Sequence, residues 1–159
     1  LSPHMKMLGD ILIPTITSLR TAMALTCATT ISELAYVYKT DADGICDEIL
    51  PILIKLLGNP KQLVLKKSMD TCKLVFANTS LTGIKVNVLN TYGSDKSAQI
   101  RRGVSEIIQL LFERKKIKDF AQLESVIAKQ LEDSDGQCRS MARSSFLYLQ
   151  ELFPTQSKA

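Results

Sequence analysis

The amino-acid sequence predicts an all-α fold, an α-solenoid of about four antiparallel helix pairs, and three observations carry that prediction. Apolar residues recur at helical spacing, with no sustained alternation of period two. The segments superimpose at intervals of about forty residues, as in helical repeat arrays. Turns rich in Gly, Asn and Asp stand between them.

The frame is clearest in residues 93–111, GSDKSAQIRRGVSEIIQLL, which read as a polar turn that starts a helix. Asp95 is placed to cap the helix, and Ile100, Val104, Ile107, Ile108 and Leu111 fall on one apolar face. The frame recurs in residues 133–149, where Asp133 precedes Arg139 by the same six residues that separate Asp95 from Arg101. Further back, Asn59 stands before Val64 and Ser18 before Met23 in the same register. Ser18, Asn59, Asp95 and Asp133 are therefore equivalent capping positions. The repeats fall at residues 6–40, 41–79, 80–116 and 117–154, with 155–159 a loose tail.

In chain order, the first helix is expected over residues 5–16, with Leu8, Ile11 and Leu12 inward and Pro14 bending it. Residues 17–20 turn into a longer helix that ends near Tyr38 or Lys39. Residues 41–44 break the repeats, with Asp43 placed to cap and Asp47 and Glu48 favourable in the next first turn. Ile45, Ile49, Ile52, Leu53 and Leu56 line that helix, which stops at Gly58-Asn59-Pro60. Its partner runs from Lys61 to about Asn78 with Val64, Ser68, Cys72, Val75 and Phe76 inward. The third pair begins near Ser80, runs through Ile84, Val88 and Leu89, turns at Gly93 and ends in Arg114-Lys115-Lys116, cations suited to a helix C-terminus. The fourth starts at Lys118 or Asp119 with Phe120, Leu123, Ile127 and Leu131 inward. It turns at residues 133–136 and ends at Phe153-Pro154.

Composition bounds the function. With 159 residues, 45% of them hydrophobic and 23% charged, the chain can bury a proper core. No stretch approaches the roughly 20 apolar residues of a membrane span. Cys27, Cys46, Cys72 and Cys138 form no C-x-x-C pair, which fits a reduced cytosolic or nuclear setting. The one histidine, His4, lies in residues 1–5, which read as an expression tag and are set aside. Without it the usual general base, metal ligand and triad member are missing together, and no enzyme, metal site or cofactor is expected. Residues 41–44 and 133–136 resemble the opening of a calcium loop, but the glycine is misplaced and the closing Glu is absent, so helix capping is the better reading. Asn78-Thr79-Ser80 matches a glycosylation acceptor, but nothing else points to secretion.

The net charge of +4 favours an acidic partner. Arg114, Lys115, Lys116 and Lys118 crowd a loop between repeats, where helix-dipole compensation explains them. Arg20, Lys61, Lys96, Arg101 and Arg139 lie instead at or just after the four turns within repeats, which stacking would bring onto one edge. A second reading of Arg101 and Arg139 is an internal ladder that bridges to acidic caps such as Asp95 or Asp133.

The fourfold helix pair with Asp followed six residues later by Arg resembles HEAT repeats, and its details resemble the TOG domains of the CLASP family of microtubule regulators. Ser18-Leu19-Arg20, Ile49-Leu50-Pro51 with Leu56-Leu57, and Lys96-Ser97 with Ile100-Arg101-Arg102 carry the resemblance. So do Asp133 and Asp135 with Arg139, Met141-Ala142-Arg143, and the ending from Phe146 to Phe153-Pro154. The resemblance implies non-catalytic binding of αβ-tubulin or the microtubule lattice, in the cytoplasm, the cytoskeleton and the mitotic spindle, with other spindle or cytoskeletal proteins as further partners. The matching contact positions are Arg20, Asn59, Lys61, Gln62, Lys96, Ser97, Arg101, Asp135, Gln137 and Arg139. TOG domains of this family have six repeats, and these four resemble the third to sixth. The chain also has no Trp to match the aromatic residue of the family's leading turn. It is either part of a longer domain or a shortened one, whose first helix would then expose an apolar face. The alternative function is a HEAT-repeat adaptor that binds a non-tubulin protein or peptide, or self-associates. Nucleic acid is disfavoured, since the few aromatic residues do not interleave with the basic ones.

Overall fold

The computed structural model describes residues 3–18 and 20–155. Leu1 and Ser2 of the expected tag, Leu19 of the first turn, and residues 156–159 of the expected tail lie outside the described residues. Among the described residues there are eight α-helices and no strand. The chain divides into two compact units, residues 1–85 and 86–159.

In the first unit, α1 (Pro3–Ile16) pairs with α2 (Thr21–Tyr38), and α3 (Asp43–Lys55) pairs with α4 (Gln62–Asn78). The pairs stack in register, α1 on α3 and α2 on α4, which is the arrangement of a helical repeat array. The apolar stripes predicted on α3 and α4 meet in this stack: Ile45, Ile49, Leu53, Val64, Cys72, Val75 and Phe76 are all buried. Each such side chain contributes roughly 1.5–3 kcal/mol by leaving water. Polar ties fix the close approach of α2 and α4, where Ser32 donates to Thr71 Oγ1 at 3.1 Å and Thr71 donates to the Ala28 carbonyl at 3.2 Å.

Three expectations for this unit need correction. α1 begins at Pro3 and runs through Pro14 to Ile16, and Met5 is buried, so residues 3–5 belong to the helix and Met5 to the core. Ile11 points outward, 57% exposed, while Met5, Gly9, Leu12 and Ile16 form the inner face; a single helix's periodicity locates a stripe without saying which side is covered. With Met23, Ile11 lines an apolar hollow of about 320 Å³ on the outer side of α1 and α2. Asp43 is the first residue of α3 and does not cap it. Its carboxylate instead receives the Ser80 N–H at 2.9 Å and the Lys85 ammonium at 3.0 Å.

Lys85 is the larger surprise. It lies on α5 (Gly83–Tyr92), which begins in the first unit and continues into the second. Its neighbour Ile84 is 56% exposed, while Lys85 itself is fully buried. Lys85 pairs with Asp47 at 2.7 Å as well as Asp43, and Thr82 donates to Asp47 at 2.9 Å. Burial pushes the Asp43 carboxyl up, but the Ser80 and Lys85 hydrogen bonds outweigh it and hold the group below its ordinary 3.8.

In the second unit, α6 (Ala98–Glu113) and α7 (Glu124–Leu131) both pack on α8 (Gly136–Leu152). All five apolar residues predicted on α6 are buried. The helix ends in a Schellman motif, with the Lys116 N–H on the Leu111 carbonyl and the Lys115 N–H on the Phe112 carbonyl, both at 2.9 Å. Lys115 holds the left-handed position of that motif at φ 52°. Gly93 is buried against α7: a Cβ there would lie 2.2 Å from Val126 Cγ2 and 2.9 Å from the Leu89 carbonyl. Asp119 starts the last pair as expected, with a capping box on the short 3-10 turn Phe120–Gln122.

Candidate partner-binding turns

The four turns within the repeats share one local structure. Ser18 Oγ accepts the Arg20 N–H at 3.2 Å, Asn59 Oδ1 accepts Lys61 N–H at 2.9 Å, Asp95 Oδ1 accepts Ser97 N–H at 2.8 Å, and Asp133 Oδ1 accepts Asp135 N–H at 2.7 Å. These are the Asx and Ser/Thr turns that short polar side chains favour. They correct the predicted caps by two residues. The N-cap positions are Arg20, Lys61, Ser97 and Asp135, each extended with φ between −77° and −84° and ψ between 106° and 124°. Of the four N-cap residues, Asp135 caps with its own side chain, accepting the N–H groups of Gln137 and Cys138.

The spacing of six from Asp to Arg has a direct cause. Arg101 Nη1 donates to the carbonyls of Asp95 and Lys96 at 2.8 and 3.2 Å. Arg139 Nη1 donates to the equivalent carbonyls of Asp133 and Ser134 at 2.6 and 2.9 Å. Each arginine thus holds the backbone of its own turn. Arg101 then reaches the following turn, where its Nε and Nη2 grip the Asp133 carboxylate at 2.6 and 2.8 Å. Arg102, whose part in the site the sequence did not reveal, grips Asp135 in the same forked manner at 3.0 and 2.5 Å. The Arg101 bond, against a smaller cost of burial, holds Asp133 below its ordinary range, and the Arg102 bond holds Asp135 far below it. The internal ladder is therefore present for Arg101, with Arg102 and Asp135 as its second rung. Beneath it Gln130, almost fully buried, accepts from Ser105 at 2.9 Å and donates to the Gly93 carbonyl at 3.4 Å.

The predicted contact residues fall into two groups. Arg20, Lys61, Gln62, Lys96 and Gln137 are exposed at the turns. Asn59, Ser97, Arg101, Asp135 and Arg139 are half-buried and help to build the turns. In the first unit the Lys61 ammonium donates to Thr21 Oγ1 at 3.0 Å, so the second turn lies against the start of α2. In the second unit a polar notch of about 290 Å³ opens between the two turns, edged by Ser94, Asp95, Arg101, Lys129 and Asp133. Lys129 was missed because it lies on α7 and not in a turn.

Among the described residues the turns present cations and hydrogen-bond donors and no activated nucleophile. The cysteines offer none, since burial pushes Cys27, Cys46 and Cys138 up to about 11 and Cys72 up to about 12. All four thiols are protonated near neutrality.

The family described as CLASP N terminal matches residues 1–159. Protein peg1 of Schizosaccharomyces pombe is 29% identical over 146 residues, which is 87% of this chain and 10% of that protein, so the chain spans about a tenth of that relative's length. The crystal structure of the MAST/Orbit N-terminal domain superimposes with a TM-score of 0.72 at 18% identity, over 92% of this chain and 66% of that one. The fold is that of the MAST/Orbit domain.

Proposed function

Because the chain belongs to the CLASP N-terminal family, we propose that it is a microtubule-associated module whose turns within the repeats bind αβ-tubulin without catalysis. The observation that carries the reading is the exposure of Arg20, Lys61 and Lys96 at equivalent turns, two of them at the N-cap itself. A repeated backbone device that sets cations at fixed points fits an acidic protein partner. Such charges raise the rate of encounter and set orientation, and their effect weakens as salt screens them. Tubulin held in one curvature in preference to another would change its tendency to grow or shrink, which requires only differential binding. Cytoplasmic microtubules and the spindle are the expected location.

Binding of the purified chain to unpolymerised αβ-tubulin, at low and at physiological salt, tests the reading. Lys96→Glu should abolish binding at both salts, whereas Lys118→Glu, in the loop between the third and fourth repeats, should leave it within about twofold at physiological salt. Equal losses in the two variants, or no binding by a folded wild-type chain at low salt, would remove the turns as a tubulin site and favour an adaptor for another protein.

A further inference from the structure

The notch between successive turns differs in kind from one unit to the other. In the second unit Asp95, Arg101 and Asp133 edge a polar notch, and the Arg101 and Arg102 side chains cross to the following turn as two rungs. In the register of the turns, Ala24 and Leu25 of the first unit stand where Arg101 and Arg102 stand in the second, and Asn59 and Lys61 replace Asp133 and Asp135. Neither rung can form there. A hollow of about 210 Å³ remains between the first two turns, with Ile16, Ala24, Leu56 and Val64 as its apolar walls. The polar groups of its rim are already engaged. Ser18 Oγ accepts the Arg20 N–H, Asn59 Oδ1 accepts the Lys61 N–H, and Thr21 Oγ1 accepts the Lys61 ammonium. Thr17 donates to the Pro14 carbonyl. Among the described residues no carboxylate lines the hollow.

We infer that this hollow is a socket for one aliphatic side chain, of leucine or isoleucine size, carried in an acidic stretch of a polypeptide partner. The inference deepens the tubulin reading and rests on it, naming one apolar anchor beside the cationic turns. Size points to a side chain, because the volume lies below the roughly 300–1,000 Å³ of small-molecule pockets. Polarity points to an apolar one, since a polar group entering would leave water and find the rim's acceptors already in use. Charge sets the flanks. Arg20 and Lys61 stand exposed at the two turns beside the hollow, so acidic neighbours of the anchor are favoured and a basic side chain is opposed. The hydrogen-bonded turns hold the socket in shape without a partner, so little ordering is needed when the anchor enters. Anchors of this kind carry much of the energy of protein interfaces, while exposed charges around them contribute less. A second copy of the chain offering the same edge would set Arg20 and Lys61 against like charges and is a poorer occupant.

The test combines a titration of the wild-type chain with one filled variant. Two end-blocked peptides, Glu-Glu-Leu-Glu-Glu and Glu-Glu-Ala-Glu-Glu, are added to the methyl-labelled chain, and the methyl resonances of Leu56 and Val64 are followed by NMR. Saturable movement with the leucine peptide, and little with the alanine peptide, is the expected result. Tubulin binding is measured in parallel for Ala24→Arg combined with Asn59→Asp, which rebuilds the rung of Arg101 and Asp133 inside the hollow and leaves the net charge unchanged. Its affinity should fall about tenfold while its melting temperature holds or rises. If the two methyl signals stay still, or move alike with both peptides, while Lys96→Glu still abolishes tubulin binding, the socket is refuted and the tubulin reading stands. A filled variant that binds tubulin as the wild type does would likewise overturn the inference. If the leucine peptide saturates the signals but the wild-type chain does not bind tubulin, the tubulin reading fails and the socket remains for another acidic partner. Because the titration needs no substitution, a folding defect in the variant cannot decide it.

Discussion

Lys115 holds a backbone conformation that side chains with a Cβ resist, at φ 52° in the Schellman position after α6. A left-handed residue other than glycine costs roughly 1 kcal/mol. Lys115→Gly should therefore stabilise the chain by about 0.5–1 kcal/mol after the added freedom of the unfolded glycine is counted. A chemical denaturation midpoint that fails to rise would show that the lysine side chain contributes more than its strain removes. Lys85 makes the opposite case. Truncating it in Lys85→Met would leave Asp43 and Asp47 facing each other without their cation, and a loss of about 3 kcal/mol is expected. Adding Asp47→Asn to that variant should recover part of the loss, and no recovery would mean the lysine acts through packing alone. The burial of Lys85 was not legible in the sequence, because its partners lie 42 and 38 residues earlier and hydropathy assigns the inner position to Ile84. Local periodicity carries no information about a pairing formed across that distance.

At the scale of the element, helices and turns were legible to different depths. The α6 stripe was read residue by residue, since five apolar side chains at 3.6 spacing have only one packed solution in a soluble helix. The four equivalent turn positions were also legible, because each needs a short polar acceptor at the same offset. What each acceptor bonds to was not, since an Asx turn and a helix cap use the same residue types, and the two differ only in a backbone angle. Gly93 shows how tightly the elements close around a turn. With Val126 only 2.2 Å from where a Cβ would stand, Gly93→Ala must displace α7 or the end of α5 within the second unit. Overpacking of this kind costs about 1–3 kcal/mol, to be read as a lower denaturation midpoint. An unchanged midpoint would mean that α7 yields easily, and the ladder that hangs on its Gln130 would then be a soft one.

For the molecule as a whole, the charges within the chain and those left for a partner are distinguishable by pH and by salt. Three carboxyls, Asp43 in the first unit and Asp133 and Asp135 in the second, sit below their ordinary range in the folded state. A carboxylate whose folded pKa is depressed stabilises the fold above its unfolded value, and that contribution is lost as pH falls through the folded pKa. The contribution is thus fully present from about pH 5 upward and declines below about pH 4, with the unfolded state taking up protons first. Asp133→Asn removes one of these groups together with the ionic part of its Arg101 contact. At pH 7 the variant should melt below the wild type, and the difference should shrink steadily as the buffer is taken from pH 5 towards pH 2. A gap that stays constant over that range would show that Asp133 acts through its turn hydrogen bond to Asp135 and not through its charge. The exposed cations respond differently. Arg20, Lys61 and Lys96 do not depend on these carboxyls, so changing pH between 6 and 8 should leave an acidic partner's affinity flat while added salt lowers it. Parallel loss of stability and affinity on adding salt near neutrality would place the binding charges inside the ladder instead of at the turn tips.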